Sequence, residues 1–133
     1  MDRVDMAVAT ADRALRSLEA ILALPPRTDI ERDASVQRFG YTFEATWKAA
    51  RLFLLAREGV AASSPKAIVR ACHSAGLLGD EATDTALVMV DDRNLTSHTY
   101  QEELAVEILT RLPDHARVLR QWVQALSAEV AGA

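Results

Sequence analysis

With 133 residues, 15 of them basic and 19 acidic for a formal balance of −4, the chain is long enough for one domain that hides roughly two-thirds of its unfolded surface. The acidic balance excludes a whole-molecule field that attracts nucleic acid, so any RNA site must be a local patch. A single cysteine, Cys72, excludes an intramolecular disulfide framework and fits a reducing compartment, and the low aromatic content disfavours β-sandwiches and stacking platforms for single strands.

The opening residues Met1, Asp2, Arg3, Val4 and Asp5 lack the basic-then-apolar pattern of a signal peptide, and no apolar run reaches about 18 residues. A soluble cytoplasmic protein without a membrane span is expected. Gly and Pro are few and the apolar residues are mostly Ala, Leu and Val at helical spacing. The expected fold class is therefore all-α, an antiparallel up-and-down bundle of four or five long helices over residues 1–133, with no internal repeat or linker.

In chain order, Val4, Val8, Ala11, Leu15, Leu18 and Leu22 mark the inner face of a first helix that Pro25-Pro26 stops. Asp29 is the expected N-cap of a second helix ending at Gly59. Along it Val36, Phe39, Phe43, Trp47, Ala50 and Leu54 form a core stripe beside a polar stripe of Tyr41, Glu44, Lys48 and Arg51. Ser63 or Ser64 caps a third helix with Pro65 at its first position. It turns Ala67, Ile68, Ala71 and Cys72 inward.

Cys72 and His73 are adjacent, but a structural zinc site needs four ligands and the sequence supplies no others nearby, so no metal is expected. Asp80 is the expected cap of a fourth helix that turns Leu87, Val90 and Ala86 inward. The pattern resumes from Gln101 to Leu112. Pro113 is expected to interrupt it before a final helix from Asp114 to Ala131, with Val118, Leu119, Trp122, Ala125, Leu126 and Val130 inward. His115 is lone, expected at the surface and assigned nothing.

Between the fourth helix and the next lies the densest polar chemistry of the chain, Asp91-Asp92-Arg93-Asn94-Leu95-Thr96-Ser97-His98-Thr99-Tyr100. Read as Arg93, four residues, His98, one residue, Tyr100, it matches the Arg-x4-His-x-Tyr signature of HEPN domains. The whole run resembles the HEPN subfamily encoded beside minimal nucleotidyltransferases (MNT), whose members are often labelled nucleotidyltransferase substrate-binding proteins. Phe39-Gly40-Tyr41-Thr42-Phe43-Glu44, Trp47-Lys48, Ser64-Pro65 and Gly76-Leu77 follow in the subfamily's order and spacing, so the likeness covers roughly residues 36–110. It departs at Ala86, where the subfamily carries a tryptophan, and at Val88, where it carries a polar residue.

The residue types suit RNA cleavage by attack of the 2′-hydroxyl, a reaction closed to DNA. It needs a base, an acid and cationic donors around the developing charge. His98 is the candidate acid or base and Arg93 the candidate phosphate clamp, with catalysis independent of metal and cofactor. Asn94 can hydrogen-bond the imidazole, and Thr96 and Ser97 can cap a helix end or touch phosphate. On an unbroken helix Arg93 and His98 would not share a face, so either the helix loosens near Thr96 or the site is completed from elsewhere. A twofold homodimer would bring two histidines and two arginines to one cleft.

The resemblance implies that same dimer, an MNT antitoxin as partner, AMP transfer to Tyr100, and Glu44 as the acid that orients Arg93; otherwise the Glu44 stripe is a solvated face. RNA is the expected substrate, with tRNA among the candidates. The other reading of the motif is structural. In it Arg93 pairs with Asp91 or Asp92 at the surface, while His98 and Tyr100 cap and pack. A second functional reading is a non-enzymatic subunit whose cleft holds nucleotide or substrate for the partner's transfer reaction.

Overall fold

Short polar side chains set where the helices start. At Asp2 the carboxylate accepts from the Asp5 amide at 2.9 Å while Asp5 accepts from the Asp2 amide at 3.1 Å, which opens α1 (Arg3–Leu22). The same reciprocal box between Thr28 and Glu31 opens α2 (Asp29–Glu58). Thr28 takes the capping place expected of Asp29 because its hydroxyl reaches the Glu31 amide, and Asp29 instead adds negative charge to the first turn. Gly59, at φ 65°, closes α2 in the left-handed conformation.

Ser64 caps α3 (Pro65–Ser74), while α4 (Asp80–Leu95) begins from Gly79 with no side-chain cap. Asp80, expected there, lies with its Oδ1 2.7 Å from His73 Nε2 at the end of α3. The last helix, α5, runs from Glu102 to Gly132. The computed structural model describes residues 2–25, 28–96 and 102–132, and among these every regular element is helical.

Cross-links between helices give the topology. Arg57 at the end of α2 reaches Asp2, and Arg38 near its start donates to the Ser17 carbonyl, so α1 and α2 are antiparallel. Phe39 stacks on His115 and Phe43 packs against Trp122, so α5 runs parallel to α2. Asp92 meets Arg111, which sets α4 antiparallel to α5. The result is an up-and-down bundle of α1, α2, α4 and α5, with the short α3 lying against α2 and α4.

Every residue of the core stripe expected on α2 is buried, and Trp122 sits fully enclosed. On α1, Ile21 completes the inner face and Leu22 is only partly covered. Ala86 is fully buried and Val88 is 42% exposed, so at the two positions where the resemblance departs a small residue fills the core and an apolar one faces solvent.

The expected break at Pro113 does not occur; α5 passes through it. Proline removes one hydrogen bond and crowds the preceding turn, at a cost of about 3 kcal/mol in an unsupported helix. Here Pro113 is exposed, while Leu112, His115 and Ala116 on either side are buried. Tertiary packing holds the turn that the local chemistry would open.

Candidate functional site

The last turn of α4 presents three consecutive charged residues, and a step of about 100° per residue aims each at a different neighbour. Asp91 is exposed and pairs with Lys66 of α3 at 3.0 Å. Asp92 is 2% exposed and faces α5, where its carboxylate accepts from Arg111 Nε at 2.8 Å and Nη2 at 2.6 Å and lies 2.6 Å from His115 Nε2. Arg93 turns to α2 and donates from Nη2 to Glu44 Oε2 at 2.7 Å. The alternative in which Arg93 pairs with Asp91 or Asp92 is thereby corrected, since both carboxylates are committed to other helices.

Glu44 is the hub on α2. Besides Arg93 it accepts from the Trp47 indole at 3.2 Å and pairs with Lys48 at 3.3 Å, partners that sit three and four residues along the same helix face. Burial pushes its carboxyl upward, yet the hydrogen bonds from Trp47 and Lys48 and the charges of Arg93 and Lys48 outweigh that and hold it below its ordinary value. It is therefore anionic at neutral pH. A guanidinium carries five donors, so one bond to Glu44 aims the Arg93 fork without exhausting it. The Arg93 side chain remains 42% exposed, accessible to an anion from solvent.

Beyond Arg93 the helix stops at Leu95. The Thr96 amide bonds to the Arg93 carbonyl in a tighter turn, and the Thr96 hydroxyl donates to the same oxygen at 2.7 Å. The helix thus ends within the signature, and the rest of the path from Arg93 to His98 lies outside the described residues. Asn94 is exposed. Ser97, His98 and Tyr100 lie outside the described residues.

His115 and Arg111 are what the sequence reading missed. His115, expected at the surface, is 2% exposed and stacks on Phe39 at 5.3 Å between ring centroids. The available signal was spacing, because Arg111 and His115 are four residues apart on one helical face across a proline. Asp92, a candidate supporting residue of the signature, anchors α4 to α5 immediately before Arg93. Burial raises the Asp92 carboxyl, and the hydrogen bonds and charges of Arg111 and His115 more than reverse that, so it too sits below its ordinary value.

Cys72 and His73 diverge. The thiol is fully buried and burial pushes it up to about 11, which makes it a packing group, while His73 is exposed beside Asp80. Among the described residues no cluster of His, Cys, Asp and Glu could hold a metal ion, and no helix is long and apolar enough to cross a membrane.

An up-and-down helical bundle with an arginine aimed from a helix end, at the start of an Arg-x4-His-x-Tyr run, defines an HEPN-type protein. Residues 7–128 match the family described as nucleotidyltransferase substrate binding protein like, and the chain belongs to that family. A solved Thermus thermophilus protein is 48% identical, with a TM-score of 0.84 over 87% of this chain and 98% of that one. More distant folds of the same kind include a Haemophilus influenzae protein described as a substrate binding domain of a nucleotidyltransferase (23% identity, TM-score 0.75, 90% and 98% covered). Another is a tri-AMPylated Shewanella oneidensis HEPN toxin in complex with its MNT antitoxin (18% identity, TM-score 0.77, 96% and 99% covered). A comparison with curated proteins gave no match.

Proposed function

We propose that this chain is the toxin of an HEPN/MNT pair, a metal-independent endoribonuclease whose site forms across a homodimer. Arg93 clamps the scissile phosphate, and one His98 of the pair acts as base on the 2′-hydroxyl while the other protonates the departing 5′-oxygen. The observation that carries this reading is the Arg93–Glu44 pair. A cation in a partly exposed position is fixed in direction by a half-buried acid, two residues before α4 ends at Leu95. Such preorganisation suits charge that develops on a phosphate. The Shewanella complex supports an MNT antitoxin as partner and AMPylation of the toxin, and the resemblance of the signature assigns the acceptor role to Tyr100. AMP on Tyr100 would bring phosphate and bulk into the cleft and compete for Arg93.

The family description and the Haemophilus fold favour a second reading, a non-enzymatic subunit holding substrate or nucleotide for the transferase. One experiment separates them: incubation of the purified protein with total RNA or tRNA in EDTA. The nuclease reading expects cleavage that persists in chelator, vanishes in His98→Ala and fails on a substrate lacking the scissile 2′-hydroxyl. RNA left intact at high protein concentration, together with nucleotide binding, establishes the subunit instead. Tyr100→Phe is expected to keep cleavage and lose neutralisation by the transferase.

A further inference from the structure

We infer that a groove at the far end of α2 is a second phosphate-binding subsite, which takes the backbone of the single-stranded RNA whose scissile phosphate lies at Arg93. The groove is an open hollow of about 440 Å³ between the first turn of α1, the last turns of α2 and the connection that follows. Arg3 and Arg51 line it together with Ser63 and the apolar Leu52, Leu55 and Val60. The inference rests on the RNA reading above and names where the strand continues.

Three observations converge. The first is charge. Arg16, Arg57, Arg93, Arg111 and Arg120 each meet a carboxylate, whereas among the described residues Arg3 and Arg51 do not. Arg13, Arg38 and Arg70 also meet no carboxylate among the described residues, and none of them lines this hollow, which Arg3 and Arg51 share. The acids that flank Arg3 in sequence are already engaged, Asp2 by Arg57 and by the cap of α1, and Asp5 by that same cap. In a protein of net charge −4, two uncommitted guanidinium groups facing one concavity form the local patch that a polyanion requires.

The second observation is preorganisation. The Arg51 guanidinium lies over the Trp47 ring at 5.7 Å from its centroid, a cation–π contact that restrains it and uses none of its five N–H donors. The third is register. Glu44, Lys48 and Arg51 follow one another at helical spacing on α2, so seven residues, about 10 Å of rise, separate the acid that aims Arg93 from Arg51. At about 3.4 Å per stacked nucleotide that gap is about three nucleotides. The exposed apolar side chains of Leu55 and Val60 offer a surface for ribose and base that a bare phosphate would leave in water.

The test is binding, so that it stands apart from cleavage. An oligoribonucleotide about ten nucleotides long, 2′-O-methylated throughout and therefore uncleavable, is titrated against the full chain at several salt concentrations beside a dinucleotide of the same chemistry. Arg51→Ala and Arg3→Ala are expected to weaken the long strand several-fold, to flatten the slope of log K against log salt by about 0.7 each, and to leave the dinucleotide unchanged. Arg51→Lys is expected to restore the slope. Unchanged affinity and slope in both alanine variants overturn the inference, as does failure of the unmodified protein to bind the long strand. A change in particle mass or in capture of the transferase, with RNA affinity intact, overturns it also by making the groove a protein interface. Arg51-dependent binding without any cleavage of natural RNA leaves the groove standing and removes only the nuclease.

Discussion

Glu44 decides what Arg93 can do. Its folded carboxyl lies below the ordinary value of 4.5, so the ion pair is fully present above that pH and is lost only as pH falls through the lower folded value. Through the neutral range Arg93 therefore keeps its orientation, and an acid limb of activity between about pH 5 and 7 should report imidazole titration instead, because histidine has an unperturbed pKa of about 6.5. Glu44→Gln keeps the shape of the side chain and removes its charge. The expected result is a fall in kcat on the order of ten- to a hundredfold with KM little altered, together with a shift in Trp47 fluorescence because the indole bonds the same oxygen. Unchanged kcat with the fluorescence shifted would mean that the pair is packing only.

At the scale of elements, the informative feature is a proline turn held by a carboxylate from the neighbouring helix. Arg111 and His115 bracket Pro113 on one face of α5, and Asp92 of α4 bonds both, so one side chain spans the turn from which proline removes a hydrogen bond. Asp92→Ala leaves two buried or half-buried donors without their acceptor and is expected to lower stability by about 3–5 kcal/mol, measured by denaturant unfolding. The sign with pH follows from a carboxyl held below its ordinary 3.8. Its contribution is complete above that value and disappears as pH falls through the folded one, so acid unfolding of the natural protein should begin there and be shallower in the variant.

Pro113→Ala is expected to act oppositely, raising stability by about 1–3 kcal/mol by restoring the amide that α5 lacks. If the clamp compensates for the proline, the two substitutions will not add; Asp92→Ala should cost less in the Pro113→Ala background.

At the scale of the whole molecule, an acidic bundle has to concentrate cations to hold RNA, and the proposed dimer would do so by joining two Arg93 sites. Mixing His98→Ala protomers with unmodified protomers tests that arrangement. A site that needs one His98 from each chain is expected to lose nearly all activity in the mixed dimer. Mixed dimers that keep about half of the unmodified activity, after exchange verified by mass, would show each protomer to be self-contained.

The bundle was legible from local chemistry. Apolar residues every three or four positions mark which faces turn inward, Gly59 and Ser64-Pro65 mark ends and starts, and the run from Arg93 to Tyr100 marks where polar groups gather. These are short-range properties, set within one or two turns of backbone, so the sequence alone determined them. Only the tertiary structure decided that Asp91, Asp92 and Arg93 meet three different helices, that α5 runs through Pro113, that His115 is buried, and that Arg3 and Arg51 face one groove. Those outcomes depend on how each helix is rotated and shifted against its neighbours. That rotation is fixed by the fit of whole faces, which no single helical period encodes.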